Sequence, residues 1–297
     1  MKHMAGWDDI IKEISETKNP TDLIRQKYLK ELSEHTGRNT IAYYSAWLSC
    51  HMGNLDINDL DMSGLMNAIK GMDCSKGLDL ILHTPGGSPV AAEAIVRYLR
   101  SKFGKDIRVI VPQLAMSAGT MIACAGKEIV MGKHSSLGPI DPQFNGAPAY
   151  NIKLEFEQAQ EDLKNNPENY HYWKIKLSKY PPAFMKSAID AIELSSMLLE
   201  EWLSTCMFDD GGKSQETIQQ IVSKLNEHDS SKLHGRHFDI DFCKSIGLNI
   251  VELENNEELQ DAILSVHHAF MATFSGTGIT KIIESNNDKA WMSSVQK

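Results

Sequence analysis

Nowhere do eighteen apolar residues run together in this 297-residue sequence, so the usual signature of a transmembrane helix is absent. Cysteine is sparse. Cys50, Cys74, Cys124, Cys206 and Cys243 are odd in number and scattered, with neither metal-ligand nor redox spacing. That excludes a disulfide scaffold and suits a reduced, cytoplasmic chain. Positive charge is also short, with 30 Lys and Arg against 39 Asp and Glu and a formal net charge of -9. A dedicated nucleic-acid binder needs a basic face to neutralise phosphates, so that class falls away. Residues 1–9 turn acidic and polar too soon for a secretory signal. There is no phosphate loop of the Gly-Lys-Ser/Thr type, no internal repeat and no low-complexity tract. What remains, 42% hydrophobic and 23% charged, is enough for a large globular core.

The most informative stretch runs from Leu78 to Gln143. Leu78 to His83 is a short apolar strand, stopped by the turn Thr84-Pro85-Gly86-Gly87. Ser88 and Pro89 then open a helix as N-cap and first-turn residue. Ala91, Ala92, Ile95, Val96 and Leu99 recur along one side of it, and Gly104 is its stop. Ile107 to Val111 is a second strand, leading through Pro112–Met116 into Ser117-Ala118-Gly119-Thr120. The run Met121–Ala125 carries no charge on any face, so it forms a buried helix. Ile129 to Met131 is a third strand.

Ser117 therefore sits where a strand ends and a buried helix begins. The first turn of a helix has N–H groups without intrahelical partners and the positive end of the dipole, which stabilise a negative oxygen. Gly86 and Gly87 end the neighbouring strand, and glycine lets bare backbone amides approach a ligand closely. A hydroxyl flanked by two sets of amides has the parts of an oxyanion hole for acyl transfer. The alternative is structural: Ser117 as a helix cap and the glycines as a turn.

The motifs His83-Thr84-Pro85-Gly86-Gly87, Ala115-Met116-Ser117-Ala118-Gly119-Thr120 and Ser136-Leu137-Gly138-Pro139-Ile140-Asp141-Pro142-Gln143 resemble the serine dehydrogenase proteinase family. That family is a branch of the Clp-protease and signal-peptide-peptidase-A group. The likeness extends to Gly37–Ser45, Lys179-Tyr180-Pro181-Pro182 and His267-His268-Ala269, from about Arg25 to Glu284. It implies an α/β fold, a ClpP/crotonase-like spiral of ββα units with extra N- and C-terminal helices. The chain then divides into an N-terminal helical extension (1–36), a core with the nucleophile serine (37–150), a helical insertion (151–230) and a closing strand and helix with a tail (231–297).

The resemblance also implies a serine protease. Ser117 is the nucleophile, and the amides near Gly86, Gly87 and Ala118 form the oxyanion hole. A serine hydroxyl needs a base within reach, and signal-peptide-peptidase-A relatives use a lysine whose pKa is lowered by burial. The window downstream of Ser117 holds Lys153, Lys164, Lys174, Lys176 and Lys179. Lys179, at a helix end against Tyr180-Pro181-Pro182, is the choice. His83 and Asp141 are the alternative base or orienting groups. Ile140 and Asp141 stand near where Clp subunits carry their catalytic histidine, and His83 also reads as a core histidine. Glu155, Glu157, Glu161 and Asp162 read as a solvated helix face.

No metal or other cofactor is implied. The expected partners are an unfolded protein or peptide substrate, further copies in a homo-oligomer, and a separate ATPase or regulator; no membrane span is expected. The competing class is an inactive ClpP-like scaffold or a crotonase-type acyl-CoA enzyme, which would rely on carboxylates where this chain has Ser117 and Ser88 beside the turns and Glu93 well inside a helix. Outside the core, residues 7–35 read as two helices broken at Asn19-Pro20, Thr40–Ser49 as a strand, and Asn58–Met72, Ala183–Trp202 and Leu259–Phe274 as helices. The last dozen residues read as loose.

Overall fold

The computed structural model describes residues 6–16, 20–144, 146–209, 211–226 and 234–295. The apolar runs read from the sequence become the strands of one sheet: β1 (Asn39–Ser45), β2 (Leu78–His83), β3 (Ile107–Val111) and β5 (Glu128–Met131). All four lie parallel and in register, for example Ile41 beside Leu80, Leu80 beside Val109 and Val109 beside Ile129. Strands buried on both faces read as near-continuous apolar runs; Ile, Leu and Val dominate β2 and β3, and Ile41, Ala42, Tyr43 and Tyr44 form the centre of β1. The sheet is completed by β9 (Ile250–Glu252) beside β5, and by two antiparallel strands, β10 (Ile279–Ser285) and β11 (Lys289–Ser294), on the β1 side.

A second, shorter ribbon of extended chain accompanies this sheet. Its members are Ile57, the turn from Thr84 to Gly87, β4 (Leu114–Ala115), β6 (Ser136–Leu137) and Phe238, each bridged to the next. A main-sheet strand, a ribbon segment and a helix thus recur: β1, Ile57 and α3 (Asp61–Ile69), then β2, the glycine turn and α4 (Pro89–Phe103), then β3, β4 and α5 (Ala118–Cys124). This repetition is the ββα spiral expected above. A further pair of short strands, β7 (Gln143–Phe144) and β8 (Ala147–Pro148), forms a hairpin.

The sheet separates two cores, because alternate residues of a strand point to opposite faces. Leu80, Leu82, Val109 and Ile129 pack with α4 and α5. Ile81, Ile110 and Val130 face α2 (Pro20–Thr36) and the helix Glu257–Gly276. Each of α4's expected inward residues, Ala91, Ala92, Ile95, Val96 and Leu99, is buried. Ser88 caps it by accepting the Ala91 amide, and Gly104 ends it at φ 61°. After β8 come α6 (Ala149–Asn165), α7 (Tyr170–Leu177) and α8 (Phe184–Trp202), with a small core of their own around Ile152, Ala188, Phe156 and Phe184. Asn166 and the turn Pro167–Asn169 separate α6 from α7.

Several boundaries shift. The helices at the start span α1 (Trp7–Glu16) and Pro20–Thr36, with Asn19 of the expected break outside the described residues. The first strand stops at Ser45 rather than Ser49, and the helix expected over Asn58–Met72 covers only Asp61–Ile69, because Asn54–Leu60 is committed to the ribbon and its turns. The larger correction is at the end of the chain. Within the last dozen residues, Lys289–Ser294 is a paired strand, and β10 before it is almost wholly buried. Lys281 and Glu284 disguise β10 as surface, yet both are fully buried because each has an ionic partner. The carboxylates on α6 also do more than face solvent: Glu155 pairs with Lys176 at 2.5 Å, and Asp162 accepts from Trp173, Asn166 and Asn169.

Candidate functional site

Ser117 occupies a sharp elbow between β4 and α5. Its backbone lies at φ 52°, ψ -118°, one of only three positive-φ residues other than glycine among those described. A side chain tolerates that region at a cost of about 1–3 kcal/mol, and such strain persists where the surroundings over-determine it. Here they do. Thr120 Oγ1 donates to the Ala115 carbonyl and takes the Gly138 amide, both within 2.9 Å, fastening the elbow to the chain that follows β6. Gly119 lies against Thr84, where an added methyl would stand 2.5 Å from Cγ2. The hydroxyl of Ser117 makes no capping hydrogen bond. Cap-only service is therefore not what holds it, and the residue is half-buried instead of enclosed.

The glycine turn packs directly on this elbow. A methyl added at Gly86 would lie 2.6 Å from the Met116 carbonyl oxygen, 2.6 Å from Ser117 Cβ and 3.1 Å from the Ala118 nitrogen. Gly86 and Gly87 adopt φ 98° and 148°, values that suit glycine. On the far side, Ile57 donates to the Gly86 carbonyl at 2.8 Å and accepts from Ser88 at 2.9 Å. The amides divide accordingly. Gly86 N–H is taken by Thr84 Oγ1 at 3.2 Å, whereas no bond ends on the Gly87 amide among the described residues. Ala118 opens α5, so its N–H precedes the first intrahelical bond. The turn and the elbow thus meet at Ser117 with two main-chain donors, at Gly87 and Ala118, left over.

The basic groups lie in three different places. Lys179 is exposed beyond α7, and no hydrogen bond or ion pair joins it to Ser117 among the described residues. Lys153, Lys164 and Lys176 are paired with Glu157, Glu161 and Glu155. His83 is fully buried, but on the opposite face of the sheet from α5, within 6.1 Å of the rings of Tyr44, Trp47 and His267. Among the described residues neither ring nitrogen has a hydrogen-bond partner. Burial pushes its pKa down to about 4, with the nearby Leu114 carbonyl opposing. Asp141, 1% exposed, is held by Gln143 Nε2 at 2.6 Å and meets His234 Nδ1 at 2.7 Å. Sequence reasoning passed over His234 as a site residue. Its partner stands 93 positions away, and the bridge between Leu137 and Phe238 brings the two segments together. Among the described residues, no group of three or more His, Cys, Asp or Glu side chains is placed to hold a metal ion.

Fold and site together define an α/β protein of the ββα-spiral class that presents a strained serine beside a double-glycine turn. Residues 20–167 belong to the ClpP-like SDH-type serine proteinase family. The stretch takes in the three core motifs and Gly37–Ser45, and the match ends before Lys179-Tyr180-Pro181-Pro182 and His267-His268-Ala269. Two uncharacterized proteins of Methanocaldococcus jannaschii are similar to the chain. One is 36% identical over 144 residues, 47% of this chain and 50% of its own length. The other is 41% identical over 105 residues, 35% of this chain and 36% of its own length. The chain thus spans half the length of the first of these relatives and about a third of the second. Among solved structures, a mutant of the membrane-bound stomatin-specific protease 1510-N aligns at a TM-score of 0.40 with 16% identity, covering 69% of this chain and 78% of that one. No helix among the described residues is long and apolar enough to cross a membrane.

Proposed function

We propose that this protein hydrolyses peptide bonds, with Ser117 as the nucleophile and the Gly87 and Ala118 amides as the oxyanion hole. The observation that carries the reading is the strained, uncapped Ser117 pressed against Gly86, with two uncommitted amides beside it. Attack by Oγ on a carbonyl carbon moves negative charge to the carbonyl oxygen, where preorganised amides stabilise it without reorganising. The Gly86 amide serves indirectly, since its bond to Thr84 sets the turn's orientation.

Two groups are candidates for the proton acceptor. Lys179 stays the choice from the resemblance, and as a base its amine must be brought from solvent to Ser117 by assembly or by substrate. His234 is the second reading, favoured by its bond to the buried Asp141, which holds one ring nitrogen and leaves the other to work. Unstructured protein or peptide is the substrate class, and the working form is a cytoplasmic homo-oligomer served by a separate unfolding ATPase or regulator. The decisive experiment is digestion of a casein-type substrate by wild type and Ser117→Ala, with a fluorophosphonate probe for the serine. Loss of both hydrolysis and labelling in the variant is expected. Undiminished turnover by Ser117→Ala excludes the mechanism, and a wild type that neither labels nor hydrolyses favours the scaffold.

A further inference from the structure

We propose that Lys281, with Asp61 and Tyr43, positions the Gly86–Gly87 turn by anchoring the Asn54–Asn58 segment that clamps it. The claim rests on the hydrolase reading of that turn. Lys281 and Asp61 are both fully buried and 220 positions apart in sequence. The Lys281 ammonium meets Asp61 Oδ1 at 2.8 Å and Oδ2 at 3.0 Å, the Asp56 carbonyl at 2.6 Å and Asn54 Oδ1 at 3.1 Å. Asp61 also accepts from the Tyr43 hydroxyl and, at 2.9 Å, from the Asn58 amide. Ser45 Oγ adds a bond to the Leu55 carbonyl at 2.8 Å. One ammonium and one carboxylate therefore hold both ends of a short segment that carries Ile57.

Ile57 is the residue that grips the turn. Its N–H and carbonyl bracket Gly87 through Gly86 and Ser88, and a methyl on Gly87 would stand 2.4 Å from the Ile57 nitrogen. Backbone presses on backbone here, leaving no slack, so the orientation of the unpaired Gly87 amide follows the Asn54–Asn58 segment. Stability alone does not account for the pair, because apolar replacements of buried ion pairs are often neutral or stabilising. Placement of a specific segment does account for it.

The test compares two double variants. Lys281→Met with Asp61→Asn removes both charges and keeps the volumes. Arg25→Met with Glu284→Gln removes the other fully buried pair on the same strand, whose Arg25–Glu284 contact is 2.7 Å and touches no part of the turn. For the first we expect roughly a tenfold fall in kcat with little change in KM, and a parallel slowing of fluorophosphonate labelling. Hydrogen exchange in the peptide covering residues 84–91 should quicken by roughly tenfold as well. The second should leave all of these near wild type, whatever it does to the melting temperature. Unchanged exchange in the first variant, or equal effects from the second, overturns the proposal. If the wild-type serine takes no label, the hydrolase reading fails, and exchange alone decides whether the tie exists. Should the first variant not fold, Tyr43→Phe carries the test. An exchange rate roughly threefold above wild type then supports the tie, and an unaltered one refutes it.

Discussion

Acid should unfold this protein partly through one imidazole. His83 lies wholly inside the core, with Tyr44, Trp47 and His267 around it and, among the described residues, no hydrogen-bond partner on either nitrogen. Its pKa is pushed down to about 4, against an unfolded value near 6.5. The folded-state pKa is the lower one, so this contribution to stability is complete above pH ~6.5 and disappears as pH falls through about 4. A gap of about 2.5 units at 1.36 kcal/mol per unit makes it worth about 3 kcal/mol in all, and about 2 kcal/mol of that is gone by pH ~4.5. His267, also buried and also held down by burial and then by the neighbouring His83, His268 and His134, acts in the same direction. The assay is urea unfolding of wild type and His83→Phe at pH 7 and pH 4.5. Carboxylate titration is common to both proteins and cancels. The variant's stability should fall by about 2 kcal/mol less than wild type across that interval. Parallel losses would show that His83 is not held neutral by the fold, and the argument from its orphaned nitrogens would fail.

Gly86→Ala should abolish hydrolysis and destabilise by about 2 kcal/mol or more, since the methyl meets the Met116 carbonyl and Ser117 Cβ at a positive φ; peptide turnover and thermal unfolding check this. Thr120→Val keeps the shape but removes the hydroxyl between Ala115, Gly138 and the elbow, stranding the Gly138 amide; a loss of about 1–3 kcal/mol in denaturant unfolding is expected, with slower labelling of Ser117. Lys179→Met and His234→Gln separate the two proton acceptors. The true base should lose roughly a hundredfold or more in kcat and the other should stay near wild type, measured on one peptide substrate.

The strands β1, β2, β3 and β5 were legible because each carries a short apolar run that must be buried, and the helices between them because their apolar residues recur at helical spacing. The site's own motifs were legible for a similar reason. Only glycine suits the turn at 86 and 87, and a small-residue helix after Ser117 must be buried. Other features depend on distant contacts. The burial of β10 was not legible, because nothing local shows that Lys281 is matched by Asp61 and Glu284 by Arg25. His83 was readable as buried but not as facing away from Ser117, since one residue of alternation decides which side of the sheet a side chain joins. His234 gained Asp141 through a bridge across nearly a hundred residues. The sequence by itself therefore determined which segments are strand, turn and buried helix, because propensity and periodicity act over a few residues. The tertiary structure alone decided which amides at the serine stay unpaired and which buried charges find partners, because those depend on groups brought together from opposite ends of the chain.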